Sequence, residues 1–267
     1  MTTLELGADA REFGFDPRRL DNINTFFNRY VDDRRLPGYL VTVARSGQLV
    51  YTTMAGFRDR EAGLPVTDDT IFRIYSMTKP ITSIAAMMLY EQGCFDLNDP
   101  AGQWIESLRD ARVYVSGPPT APTTVPAIEP VRVHHLLSHT SGLTYGFTHM
   151  HPVDAIYRAK GYEFGFHRDA DLARAVEDWC SSPLVFQPGT AWNYSVAVDV
   201  IGRLIEIWSG QSLDVFFRER ILDPLGMTDT DWYCPEDVDG HRVVPRGAGL
   251  GHQRRAAPVV DLSLIHI

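Results

Sequence analysis

The sequence predicts an α+β fold, with strands early in the chain and helices after them. Two observations carry that expectation. An early stretch alternates apolar and polar residues around a Ser-Gly turn, and the long middle repeats apolar residues at helical spacing. Length sets the scale: 267 residues, 44% hydrophobic and 22% charged, suffice to bury a sizeable core.

The elements follow in order. From Pro17 to about Asp32, Leu20, Ile23, Phe26 and Phe27 recur at helical spacing and predict a first amphipathic helix. "GYLVTVARSGQLVYTTMAGF" reads as two antiparallel strands, and "GLPVTDDTIF" as a turn-rich link. A buried helix is expected from about Met77 to Tyr90, closed by Gly93. "SGPPTAPTTVPAIEP" reads as a proline-rich surface loop. "VRVHHLLSHTSGL" predicts a short helix ending in a Ser-Gly turn, and Asp169 to Cys180 a second helix. "PGTAWNYSVAVDVIGRLIEIWSG" gives a turn, an aromatic bend and an amphipathic helix ending at Gly210, and another helix follows from about Leu213 to Arg220. No internal repeat is visible, and no second cluster of strands completes a sheet.

Composition excludes several classes of function. A formal net charge of −9 argues against nucleic acid, since phosphate binding needs a basic face. No apolar run approaches the roughly 20 residues of a membrane helix, and the N-terminus lacks the basic head and apolar core of a secretory signal. Cys94, Cys180 and Cys234 are few and far apart, fitting neither a disulfide framework nor a zinc site. The expectation is a cytoplasmic protein without metal or organic cofactor.

One stretch carries chemistry. In "RIYSMTKPITSIAAMMLYEQG", Ser76 and Lys79 stand three apart where an apolar helix begins. Positions i and i+3 share a helix face, with Cβ atoms about 5–6 Å apart. A serine hydroxyl is a poor nucleophile until a neighbouring base takes its proton, and a desolvated lysine can be that base. The helix start adds a partial positive charge that favours an oxyanion near Ser76, and Pro80 fits an early helical turn. S-x-x-K alone is weak evidence, since by itself it is more often an ordinary helix start with a surface lysine.

The company of this motif resembles a known family. "FRIYSMTKPITS", "VHHLLSHTSGL", "PGTAWNYSVAVDVIGRLIE" and "ILDPLGMTDT" stand in the order found in serine β-lactamase and penicillin-binding-protein-like hydrolases, in the branch of class C β-lactamases and family VIII carboxylesterases. The resemblance runs from about Arg18 to Thr230. It implies a β-lactamase/transpeptidase-like α+β fold, with an antiparallel sheet flanked by helices and an all-helical lobe. It also implies that Ser76 is the acylated nucleophile, Lys79 its proton partner, and Tyr194 the tyrosine of a Y-x-N element sharing the acid/base work.

Two departures modify the implication. The family's lactamases carry asparagine two residues after the tyrosine, where this chain has Val196. An apolar side chain cannot bond a lactam side-chain amide, so the substrate-binding site, with Val196 in it, looks more like that of an esterase. The second departure is that no K-T-G, H-x-G or W-G-G strand follows Tyr194. The expectation is therefore one domain over residues 1–260 with its C-terminal strands missing, and a non-native tail over 261–267.

Other residues have blander readings. His134, His135, His139, His149 and His151 suggest a metal, but no carboxylate or cysteine completes a ligand pattern. The resemblance makes "HHLLSHTSGL" a structural helix and turn beside the site, and Tyr145 either lines the substrate pocket or packs beside it. Trp179, Trp192 and Trp208 read as core, and Asp199 and Glu206 as solvated or capping carboxylates. The function these readings favour is hydrolysis of small carboxylic esters through a Ser76 acyl-enzyme. The alternatives are a β-lactamase, a D-amino-acid peptidase, or an inactive fragment or binding module that keeps the serine without turnover.

Overall fold

The computed structural model describes residues 6–163 and 170–232. They form two compact units, one reaching to Arg73 and one from Ile74 to Trp232.

The first unit is a helix on a small antiparallel sheet. Helix α1 (Pro17–Asp32) starts where Asp16 accepts the Arg18 N–H at 2.9 Å and proline fills the first turn. Strands β1 (Gly38–Arg45) and β2 (Gln48–Asp59) pair with Arg45 opposite Gln48. Ser46 and Gly47 between them both take positive φ, 51° and 75°, the twist a two-residue hairpin turn requires. A short β3 (Leu64–Pro65) lies on the other side of β2. Asn24 of α1 fastens the helix to both strands, its Oδ1 lying 2.8 Å from the Tyr39 hydroxyl and 3.2 Å from Thr53 Oγ1. Ala10, Leu20 and Val50 form a small core beneath, with Val43 packed against it.

The second unit is mostly helical. It contains α2 (Thr78–Glu91), α3 (Val133–Leu137), α4 (Pro152–Ala159), α5 (Leu172–Cys180), α6 (Ala197–Ser209) and α7 (Leu213–Phe217). Helix α6 is its centre and packs on α2, α3, α5 and α7. Val200, Ile201, Leu204 and Ile205 of α6 are fully buried, and α2 adds Ala85, Ala86 and Leu89. Burying an aliphatic side chain of this size stabilises by about 1.5–3 kcal/mol, so this interface holds the unit together. Helix α6 stops at Gly210, which takes a left-handed φ of 72°, as the sequence predicts.

The structure corrects three expectations. The proline-rich stretch is not all loop: β4 (Arg112–Ser116) and β5 (Thr123–Pro126) make a second antiparallel sheet. Pro118, Pro119 and Pro122 fall in the connection, where Gly117 supplies a φ of 96°, so the prolines mark the turn and leave Thr123–Val125 free to pair. Helix α4 is a further element that the apolar spacing does not predict. It is set by His151, which accepts the Val153 N–H, with Pro152 in the first turn. The last helix ends at Phe217 and continues as a wider π turn over Arg218–Leu222. The expected boundary at residue 260 and the tail over 261–267 lie outside the described residues.

Two glycines separate backbone strain from steric conflict. Gly93 and Gly142 both take positive φ, 74° and 86°. A Cβ on Gly93 meets nothing within 4 Å, whereas one on Gly142 falls 2.6 Å from the Phe186 carbonyl oxygen. Gly93→Ala should lose about 1 kcal/mol, the ordinary left-handed penalty. Gly142→Ala should lose at least about 2 kcal/mol, because strain and clash combine. Urea unfolding of both variants checks the difference, and equal losses would show that the Phe186 contact yields freely.

Candidate active site

Ser76 sits at the middle of a single 3₁₀ turn, Tyr75–Met77, that runs directly into α2. Tyr75, just before it, is held at a φ of 45°. A non-glycine residue there stores about 1–3 kcal/mol of backbone strain, which persists only where the surroundings enforce it. The turn leaves the Ser76 side chain exposed at the helix mouth, where the dipole of a 14-residue helix presents its positive end.

Lys79 lies in the first turn of α2, half-buried. Its Nζ is 5.1 Å from the ring centre of Tyr194 and 5.8 Å from that of Tyr145, and those two rings lie 5.6 Å apart. The structure thus brings Lys79, Tyr145 and Tyr194 together. Ser76 stands one turn earlier on the same segment. Among the described residues no hydrogen bond joins its hydroxyl to Lys79.

Tyr145 is held from two sides. Its hydroxyl donates to Asp199 Oδ2 at 3.4 Å, and its ring stacks on Phe147 at 4.9 Å. The loop that carries it is gathered by the buried Asp154 carboxylate, which accepts from the hydroxyls of Thr144 (2.8 Å) and Thr148 and from the N–H groups of Met150 (2.9 Å) and His151 (3.0 Å). Burial pushes the Tyr145 phenol well above its ordinary range, with Asp199 and Tyr194 adding to the rise.

Tyr194 belongs to a segment laid along residues 139–144. The Asn193 N–H donates to the His139 carbonyl at 2.9 Å, its side-chain amide donates to the Leu143 carbonyl at 3.0 Å, and the Val196 N–H reaches the Thr144 carbonyl at 3.4 Å. The Ser195 N–H donates to His139 Nδ1 at 3.2 Å. The His139 ring packs 4.7 Å from that of Tyr194, and burial, aided by the Lys79 charge, pushes its imidazole down to about 4. The Nδ1 that accepts a backbone N–H therefore belongs to a neutral ring with its proton on Nε2.

Several expectations change here. Val196 is only 1% exposed and belongs to the core, so it presents almost no surface to a ligand. Trp179 is core as expected, and Trp208 stacks on Phe95 at 4.0 Å, but Trp192 is 66% exposed beside His139 and Tyr194. Asp199 is buried rather than solvated. Glu206 does have a capping role, accepting the Leu213 N–H at 3.2 Å while paired with Arg203 at 2.9 Å. His135 and His151 likewise serve helix starts, each accepting a backbone N–H. Among the described residues no group of three or more His, Cys, Asp or Glu is placed to hold a metal ion. Sequence reasoning undervalued His139 and Asp199. The usable signals were a third histidine just before the Ser-Gly turn, and an acidic residue in the first turn of an otherwise apolar helix.

Comparison with known proteins decides the family. A family model described as Beta-lactamase matches residues 23–262. The chain belongs to the Beta-lactamase family. Within that family, esterase EstB of Burkholderia gladioli is 35% identical over 231 residues, covering 85% of this chain and 55% of EstB. Lovastatin esterase of Penicillium rubens is 32% identical over 216 residues, covering 79% of this chain and 52% of its own length. Among solved structures, EstCE1, described as a hydrolase with promiscuous acyltransferase activity, superposes with a TM-score of 0.70 at 29% identity, covering 81% of this chain and 53% of EstCE1. The chain spans about half the length of the curated relatives it matches. The β-lactamase/transpeptidase-like fold expected from the motifs is the fold of this family.

The buried Asp199 carboxyl has a readable consequence. Desolvation pushes it from an ordinary 3.8 up to about 6, against an opposing pull from Lys79. A folded value above the unfolded one favours the protonated fold. The contribution is complete below about pH 3.8 and is lost as the pH rises through about 6. Asp199→Asn removes the titration, so the variant's melting temperature relative to wild type should be more favourable at pH 8 than at pH 4. A difference independent of pH would show that Asp199 does not titrate in this window.

Proposed function

We propose that the protein hydrolyses small carboxylic esters through an acyl-enzyme on Ser76, with Lys79 and Tyr194 as the proton-transfer pair. The observation that carries this reading is Lys79 Nζ placed over the rings of Tyr194 and Tyr145, one helical turn beyond an exposed serine. The names of the family relatives, EstB and lovastatin esterase, support the same class of substrate.

The Ser76 oxygen attacks the ester carbonyl carbon while its proton passes to the Lys79–Tyr194 pair. The carbonyl oxygen becomes an oxyanion beside the positive end of α2. Collapse breaks the bond to the alkoxy group, which leaves as the alcohol with the proton the pair returns. Water then attacks the Ser76 ester, the same pair takes and delivers its proton, and the carboxylic acid departs. The esterase names of the family relatives favour the ester over the β-lactam or D-amino-acid peptide reading. A binding module that keeps Ser76 without turnover is the reading from another class.

Ser76→Ala should abolish hydrolysis of p-nitrophenyl butyrate while leaving the melting temperature near wild type. A fluorophosphonate probe should label the protein on the peptide containing Ser76. Wild-type turnover in the Ser76→Ala variant would end this reading, and absence of both labelling and turnover in the wild type would favour the binding module. Lys79→Ala should lose about as much rate as Ser76→Ala, since members of one catalytic unit are not additive. Lys79→Arg should fail as well, because a guanidinium does not give up its proton.

Short-chain esters should be turned over faster than nitrocefin under the same conditions. A nitrocefin rate equal to or above the ester rate would reverse the ranking of ester and lactam.

A further inference from the structure

We infer that His139 is a positioning residue for Tyr194, gripping the chain on both sides of it through one backbone carbonyl and one ring nitrogen. The inference rests on the reading of Tyr194 as a member of the proton-transfer pair.

Three contacts converge on one residue. The His139 carbonyl accepts the Asn193 N–H at 2.9 Å, and His139 Nδ1 accepts the Ser195 N–H at 3.2 Å. The residues immediately before and after Tyr194 are therefore tied to the same partner. The imidazole also packs on the ring between those ties, 4.7 Å away, while Lys79 stands 5.1 Å from that ring. A side chain whose flanking N–H groups are both fixed has little freedom to drift from the lysine, and its remaining motion is limited by the imidazole face.

The backbone of His139 is shaped for this grip. It takes a left-handed φ of 57°, which lets the carbonyl and the ring nitrogen of one residue both reach the neighbouring segment. Such a conformation is strained for a histidine and persists where the surroundings enforce it, as the two ties do here.

Two rival roles are excluded. His139 is not the general base for Ser76, since its Nδ1 is already occupied by the Ser195 N–H and also faces the Ser195 hydroxyl at 3.2 Å. The Ser195–His139 pair is not a second nucleophile either, because Ser195 is fully buried. What the ring must do is accept. A neutral imidazole does so, and burial beside Lys79 keeps it neutral.

The test is a set of variants in the whole chain, read by steady-state hydrolysis of p-nitrophenyl butyrate. His139→Gly suits the left-handed backbone, keeps the carbonyl tie and deletes the acceptor and the ring. It should lower kcat by about 10- to 100-fold, the effect of displacing a catalytic group by up to about 1 Å, with KM changed by less than about twofold. His139→Asn also tolerates this φ and places a carbonyl oxygen near the position of Nδ1. It should stay within about fivefold of wild type. The double variant His139→Gly/Tyr194→Phe should be no slower than Tyr194→Phe, because a residue acting through Tyr194 has nothing left to position. His139→Phe, which keeps a ring and loses the acceptor, is read in the same cycle if the glycine variant does not fold.

A slow Tyr194→Phe beside a wild-type His139→Gly overturns this inference alone. Losses that multiply in the double variant, or equal losses in the glycine and asparagine variants, overturn it too. A Tyr194→Phe variant as fast as wild type brings down the role of Tyr194 and this inference with it.

Discussion

A lysine brought partly out of water needs compensation, and two aromatic rings and a buried carboxyl stand around Lys79 to supply it. The faces of two aromatic rings offer a cation about 0.5–2 kcal/mol each, depending on how far water is excluded. Lys79 has two such rings within 6 Å, those of Tyr194 and Tyr145. The Asp199 carboxyl adds a second source, since its charged form is drawn out by the lysine even though burial opposes it. Lys79 comes from the first turn of α2 and Asp199 from the first turn of α6, so the packing of those two helices sets the distance between the groups.

The tyrosines are held by a different force. Both lie on non-helical, partly buried segments, and a buried N–H or carbonyl without a partner costs about 1–3 kcal/mol. The 193–196 segment meets that demand by pairing with 139–144, and the Tyr145 loop meets it by converging on Asp154. Satisfying these groups is also what fixes the rings. Displacing either tyrosine requires breaking several partly buried hydrogen bonds at once, although no regular secondary structure covers the tyrosines themselves.

Two of the three non-glycine residues of this unit that take positive φ flank the chemistry, the third being His149. Tyr75 precedes the exposed Ser76, and His139 grips the segment of Tyr194, and both take left-handed φ. Each redirects the chain within one residue. At Tyr75 the redirection feeds a 3₁₀ turn into the start of α2, and at His139 it turns a carbonyl and a ring nitrogen toward the same neighbour.

The sequence by itself determined the helices with strong apolar periodicity, the first hairpin with its Ser-Gly turn, and the candidates Ser76, Lys79 and Tyr194. Helical spacing, turn chemistry and the spacing of Ser76 and Lys79 are local, written within a few residues of one another, whereas Tyr194 was implied by the resemblance of motifs in order along the chain. Tertiary structure decided the rest. The β4–β5 pairing joins residues on either side of a proline-rich connection, and no local pattern reports which flank will find a partner. Asp199 reads as a solvated acid until the packing of α6 buries it, because burial depends on neighbours far along the chain. Trp192 is apolar by type, yet the fold leaves it exposed beside the site. Val196 has the right position in its motif, and the core claims its side chain. His139 lies 55 residues from Tyr194 in the chain, and only the pairing of their two segments brings a ring nitrogen to the Ser195 N–H.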